Sequence, residues 1–153
     1  MGQPSLSIYV NELFNFYGVQ KAIRIGTIGS IQKELKCRDI ILANAACSDF
    51  SLVCNAYKKA KGLNMKTSVG PVVSSDLFYD DNQNWKLWAE YGVLGCEMES
   101  AELFTLAAKY SRKALSIFTV SDEILTGKKT SPEERQSSFK DMMILALETI
   151  IMD

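Results

Sequence analysis

Arg24 stands in the otherwise apolar stretch Lys21-Ala22-Ile23-Arg24-Ile25, directly before Gly26 and Gly29. A cation leading into a Gly-spaced turn, with the Thr27 hydroxyl inside it, suits an oxyanion such as phosphate. An arginine at a strand end that simply reaches solvent fits the same spacing, because G-x-x-G alone has little specificity. Glu97 and Glu99 lie where a helix begins, in Cys96-Glu97-Met98-Glu99-Ser100-Ala101. Helical positions two apart point about 200° from each other, so these carboxylates are not expected to pair. One can bind a ligand while the other faces elsewhere, or both can simply favour the positive end of the helix. Ser121-Asp122 closes the apolar run 114–120. Open α/β sheets bind ligands at the C-terminal ends of their strands, which makes Asp122 a candidate acid; a turn aspartate is the equal alternative. Arg135 sits in the first turn of a helix, where a cation opposes the dipole. It shares a helical face with Phe139, Met142 and Met143, so the pattern predicts burial and a need for an anionic partner, with Asp122 the candidate. A carboxylate beside an arginine in a cleft can form a tuned acid–base pair. Phe78 and Tyr79, in a polar loop, can stack on a base or cover an edge of the core.

The elements that must position these residues follow from periodicity. Leu6, Val10, Leu13, Phe14 and Tyr17 predict a helix over 5–17, stopped by Gly18. Strands are predicted at 21–25, 39–45 and 66–74, the last bent or at an edge because Gly70-Pro71 interrupts it. Helices are expected over 55–63, with Lys58, Lys59 and Lys61 on the wet side, and over 85–91, ended by Gly92. Residues 77–84 read as a loop and 98–111 as a helix, and 114–120 reads as a strand buried on both faces. Ser131, Pro132 and Glu134 form a capping box that opens a last helix, whose stripe is Phe139, Met142, Met143, Ala146, Leu147 and Ile150. Alternating strands and helices predict an α/β fold: a twisted, mainly parallel central sheet flanked by helices.

Composition bounds the function. The 153 residues are expected to form one domain, 1–153. Apolar residues make up 47% and charged residues 23%, ordinary for a globular chain. With 17 basic against 18 acidic residues and no basic block, nucleic acid is not the expected partner. No apolar run is long enough to span a membrane, and Met1-Gly2-Gln3-Pro4 does not begin a signal peptide. Cys37, Cys47, Cys54 and Cys96 include no C-x-x-C pair and read as reduced thiols of a cytoplasmic protein. The sequence has no histidine, which excludes His-based triads, His-ligated zinc and an imidazole base on this chain.

In this order and at these separations the motifs resemble the bacterial-type, hexameric purine nucleoside phosphorylases of the nucleoside phosphorylase superfamily. The best parts are Arg24 to Gly29, Ser74-Ser75-Asp76-Leu77-Phe78-Tyr79, Glu97-Met98-Glu99, Ser121-Asp122 and Glu134-Arg135-Gln136. The resemblance implies that Arg24, Ile25, Gly26 and Thr27 bind phosphate. Phe78 would pack on the base, with Cys96, Glu97, Met98, Glu99 and Ser121 completing the nucleoside site; Met98 lines the ribose and Glu99 holds its hydroxyls. Asp122, assisted by Arg135, would protonate a purine, and phosphate would release the base and (deoxy)ribose 1-phosphate. No cofactor is implied, phosphate being a co-substrate, and the working form is a homo-oligomer, from dimers up to hexamers. Uridine phosphorylases are the near alternative. They carry a Gln-x-Arg pair after the Phe78-type loop, where this chain has Asp80-Asp81-Asn82-Gln83-Asn84-Trp85. Family members also have more chain ahead of Met1 and a longer connection near Asp49-Phe50, so a truncated remnant that binds ligand or partner subunits without turnover is the non-enzymatic alternative. Loss of the leading strands is expected to leave the apolar strands 22–25, 40–45 and 114–120 with an unpaired neighbour.

Overall fold

The most apolar stretch of the chain becomes the centre of its longest strand. In a computed structural model describing residues 2–44, 50–137 and 139–152, strand β6 runs over Lys113–Glu123 and is buried along almost all of it. Before it in the chain come α1 (Gln3–Asn15), β1 (Lys21–Ser30), β2 (Ile40–Ala43), α2 (Phe50–Gly62), β3 (Thr67–Gly70), β4 (Val73–Ser74), α3 (Trp85–Glu90), β5 (Gly95–Glu97) and α4 (Ser100–Lys109). After it come β7 (Lys128–Lys129), α5 (Pro132–Ser137) and α6 (Lys140–Ile150). Alternation along β6 divides the core. Ala114, Phe118 and Val120 pack with Val10 and Phe14 of α1 and Leu103, Phe104 and Ala107 of α4. On the other face Leu115 and Ile117 meet Leu52 and Val53 of α2 and Met142 and Leu145 of α6. The result is the expected α/β layering.

The sheet is mixed. Its order is β3-β2-β6-β1-β5-β4, with β7 paired to β6. The long β1/β6 ladder is parallel, as are β2/β3 and β4/β5, while β2/β6, β1/β5 and β6/β7 are antiparallel. Strands β3 and β4 close opposite ends of this order, yet only Pro71 and Val72 separate them in sequence. Three Cα steps reach at most about 11 Å, whereas five strand spacings in a flat sheet would put the ends about 24 Å apart. The sheet is therefore curled towards a half-barrel.

Several local expectations are corrected. The chain does not turn at Gly26 and Gly29: β1 continues through both, because it stays in register with β6 from Lys21 to Ser30, with one irregularity at Ile28/Gly29. The predicted strand 66–74 is two strands at opposite ends of the sheet order. The helix predicted from 98 starts at Ser100, because residues 95–97 pair with β1 and β4 as a strand. Strand 39–45 is Ile40–Ala43; position 45, like Cys47 and Asp49, lies outside the described residues. Strands β2 and β6 have a neighbour on both sides, against the expectation, but β5 pairs β1 only at Gly29 and Ser30, so residues 22–25 have no described strand partner on the side away from β6, as expected. The capping box forms: the Ser131 N–H donates to Glu134 Oε2 at 2.9 Å and the Glu134 N–H to Ser131 Oγ at 3.1 Å. However, α5 ends at Ser137 and α6 starts afresh behind Phe139. The apolar stripe re-phases accordingly, so that Phe139, Met142, Leu145 and Ala146 are buried while Met143 and Leu147 are exposed.

Candidate active site

Two clusters of chemistry-bearing side chains lie along the β1/β6 ladder. The first gathers around Arg24. Its side chain is 16% exposed and its guanidinium carbon lies 5.1 Å from the centre of the Phe118 ring. Nη2 donates to Glu99 Oε2, and Nη1 lies 3.4 Å from Glu97 Oε2. The two glutamates thus converge on one cation, contrary to the helical expectation, because neither sits within the helix: Glu97 ends β5 and Glu99 is the N-cap of α4. Gly26 explains how the arginine fits. A Cβ there would stand 2.8 Å from Arg24 Nη1, so the glycine leaves room for the guanidinium to lie back over its own strand. This role, rather than a turn, is what the glycine serves.

Glu97 has a side chain only 1% exposed. It accepts the Glu99 N–H at 2.9 Å, the Ser100 N–H at 3.0 and 3.1 Å, and the Ser74 hydroxyl. Glu99 accepts the Gly2 N–H at 2.8 Å through its other oxygen. Burial raises the Glu99 pKa, but the Gly2 N–H and the Arg24 charge outweigh it and hold the carboxyl below the ordinary carboxylate range. Cys96 behaves oppositely: burial, then the charges of Asp80 and Glu97, push its thiol up to about 11. Met98 is half-buried between the two glutamates in sequence.

The second cluster forms at the far end of β6. Asp122 Oδ2 accepts the Ser121 hydroxyl at 2.6 Å, and Arg135 Nη2 lies 3.6 Å from Asp122 Oδ1. Arg135 also donates from Nε to Thr130 Oγ1 at 3.2 Å, and Thr130 in turn donates to the Ser121 carbonyl at 3.1 Å. The expected Asp122–Arg135 pair is therefore present. Arg135 itself is not buried: its side chain is 45% exposed, because the helix linking it to the Phe139 stripe ends at Ser137. Strand register separates the clusters. Arg24 stands level with Ser116 and Gly29 with Asp122, a shift of about 17 Å of strand.

Thr27 is exposed, and alternation along β1 turns it to the face opposite Arg24. Ile25 is on the same face as Thr27 and is also exposed. Phe78 and Tyr79 stack edge to face at 5.1 Å on the surface, 76% and 83% exposed. Sequence reasoning assigned no role to Ser74 or Thr130. A lone hydroxyl carries no pattern, and only the pairings Ser74–Glu97 and Thr130–Arg135 reveal them. Among the described residues no cluster of His, Cys, Asp and Glu is arranged to hold a metal. No described helix is long and apolar enough to cross a membrane.

The family profile described as Phosphorylase superfamily matches residues 45–151. The chain is 49% identical over 169 aligned residues to a purine nucleoside phosphorylase DeoD-type of Geobacillus sp. (strain WCH70), a match covering 99% of this chain and 72% of that protein. The chain belongs to the phosphorylase superfamily. Among its other relatives in this superfamily, the DeoD-type purine nucleoside phosphorylase of Bacillus subtilis (strain 168) is 48% identical, covering 98% of this chain and 72% of the relative. That of Listeria welshimeri serovar 6b is 49% identical, covering 99% and 72%.

Proposed function

We propose that this chain catalyses phosphorolysis of purine ribo- and deoxyribonucleosides to the free base and (deoxy)ribose 1-phosphate. The observation that carries the reading is the identity of about half the residues to DeoD-type purine nucleoside phosphorylases over nearly the whole chain. The chemistry needs little from the protein. A purine leaves better when protonated, so a single acid beside the base lowers the barrier. Asp122 passes a proton to N7, and Arg135 and the Ser121 hydroxyl stabilise the carboxylate left behind. As the C1′–N9 bond breaks, its electron pair goes to the base. A phosphate oxygen then forms the new bond to C1′ of the oxocarbenium-like sugar. In this arrangement the purine lies at the Asp122 level of the ladder, with Phe78 closing over it. Ribose lies against Met98 and Glu99, and phosphate meets Arg24. Thr27 does not share the Arg24 face, so the strand as folded offers phosphate the arginine without that hydroxyl. The chain would work without cofactor, in the cytoplasm, as a homo-oligomer.

The test is phosphate-dependent release of hypoxanthine from inosine or adenine from adenosine. Cleavage of uridine instead would overturn the purine assignment. One observation favours a second reading, in which the chain binds ligand without turnover: Arg24 is already engaged by Glu97 and Glu99. Calorimetry with inosine, with and without phosphate, distinguishes the two, because only the enzyme consumes the nucleoside.

A further inference from the structure

We infer that Glu97, anchored by Ser74, is a positioning residue that sets both the phosphate-facing arginine and the ribose-facing carboxylate, and does not itself contact the nucleoside. A carboxylate offers about four acceptor positions. Oε1 accepts the Ser100 N–H and the Ser74 hydroxyl; Oε2 accepts the N–H groups of Glu99 and Ser100 and faces Arg24 Nη1. With the side chain 1% exposed and both oxygens occupied, no acceptor is left for a sugar hydroxyl. The charge has a function where it stands. It meets the first free N–H groups of α4, a ten-residue helix, where an anion is favoured. In doing so it fixes the backbone that carries Glu99, while Arg24 is held from the other side.

Ser74 completes the arrangement. Parallel pairing sets Ser74 of β4 beside Glu97 of β5. Its hydroxyl donates to Glu97 and its oxygen accepts the Ala101 N–H at 2.9 Å. One serine therefore ties the sheet edge, the carboxylate and the helix start together, and a displacement at this point moves both substrate-facing groups.

For its kinetics this inference rests on the phosphorolysis reading, and the variants that test it are Glu97→Gln and Ser74→Ala. Glu97→Gln keeps the shape and removes the charge. It is expected to raise the KM for phosphate and lower kcat/KM for nucleoside by about tenfold to a hundredfold. The rise in the KM for phosphate should be the same on inosine, 2′-deoxyinosine and 3′-deoxyinosine, because Arg24 meets no sugar hydroxyl. Ser74→Ala should show the same pattern, weaker, and carries the measurement if Glu97→Gln does not fold. A phosphate KM that rises with inosine but not with a deoxynucleoside would tie Glu97 to the sugar alone and overturn the inference. So would a lower melting temperature with an unchanged phosphate KM. If the wild-type chain turns over no nucleoside, the phosphorolysis reading fails but the positioning claim is still decided by amide hydrogen exchange. The Glu99, Ser100 and Ala101 amides should lose protection in both variants, and unchanged protection would refute it.

Discussion

Asp122, the proposed proton donor, has a hydroxyl at 2.6 Å and a guanidinium at 3.6 Å and is partly open to solvent. Replacing it with asparagine keeps the shape and removes the proton. Asp122→Asn is expected to lower turnover of inosine by about 10²–10⁴-fold. Turnover of 7-methylguanosine, already charged at N7, should be spared. Equal losses on both substrates would assign Asp122 a structural role. Glu99 leads to a prediction about pH. Its folded pKa is depressed, so its ion pair contributes stability in full above the unfolded value of about 4.3. That contribution is lost as pH falls further, through the depressed folded value. Thermal melts from pH 6 to pH 3 should show stability dropping below about pH 4.3, and Glu99→Gln should flatten that drop. An equally steep drop in the variant would show that the pair does not carry the acid sensitivity.

At the scale of elements, two glycines on neighbouring strands predict opposite outcomes. A Cβ at Gly26 would meet only the movable end of Arg24, at 2.8 Å. Gly26→Ala should therefore change stability by less than about 1 kcal/mol, since the lost backbone freedom of the unfolded chain offsets a small strain. It should nevertheless shift the guanidinium slightly while its pairing with Glu97 and Glu99 persists, and so weaken phosphate binding. A Cβ at Gly95 would stand 2.7 Å from the Gly29 carbonyl oxygen and 2.8 Å from Ile28. At Gly29 strand β1 is paired on both sides and cannot yield, so Gly95→Ala should destabilise by about 1–3 kcal/mol. Urea melts of the two variants, with phosphate titrations, check both. Similar stability losses would show that β1 yields as readily as an arginine side chain.

The whole molecule exposes many large apolar side chains. Ile8, Tyr9, Phe16 and Tyr17 lie along or just beyond α1, while Met143 and Leu147 of α6 border a shallow groove with Ile23 and Ile25 of β1. Residues 22–25 of β1 have no described strand partner on the side away from β6, so this strand edge adds to the side-chain surfaces as a reason to expect association. Light scattering should give a mass above the 17.1 kDa of one chain. A stable, cooperatively melting monomer would contradict the proposed homo-oligomer.

The sequence alone determined what depends on near neighbours. The apolar run that becomes β6, the capping box at Ser131 and the alternation of strands with helices are short-range patterns, because helix and strand periods are set within a few residues. The pairing of Asp122 with Arg135 was also legible, since a short connection joins the strand end to the helix start. Only the tertiary structure decided the rest. That Glu97 and Glu99 both meet Arg24, 75 positions from Glu99, follows from β5 lying beside β1, and strand order leaves no local trace. The exposure of Arg135 followed from where a helix stopped, and the roles of Gly26 and Ser74 from what crossed or paired with them. A residue's chemical type is written in its side chain, but its partners are set by which strands the curled sheet brings together.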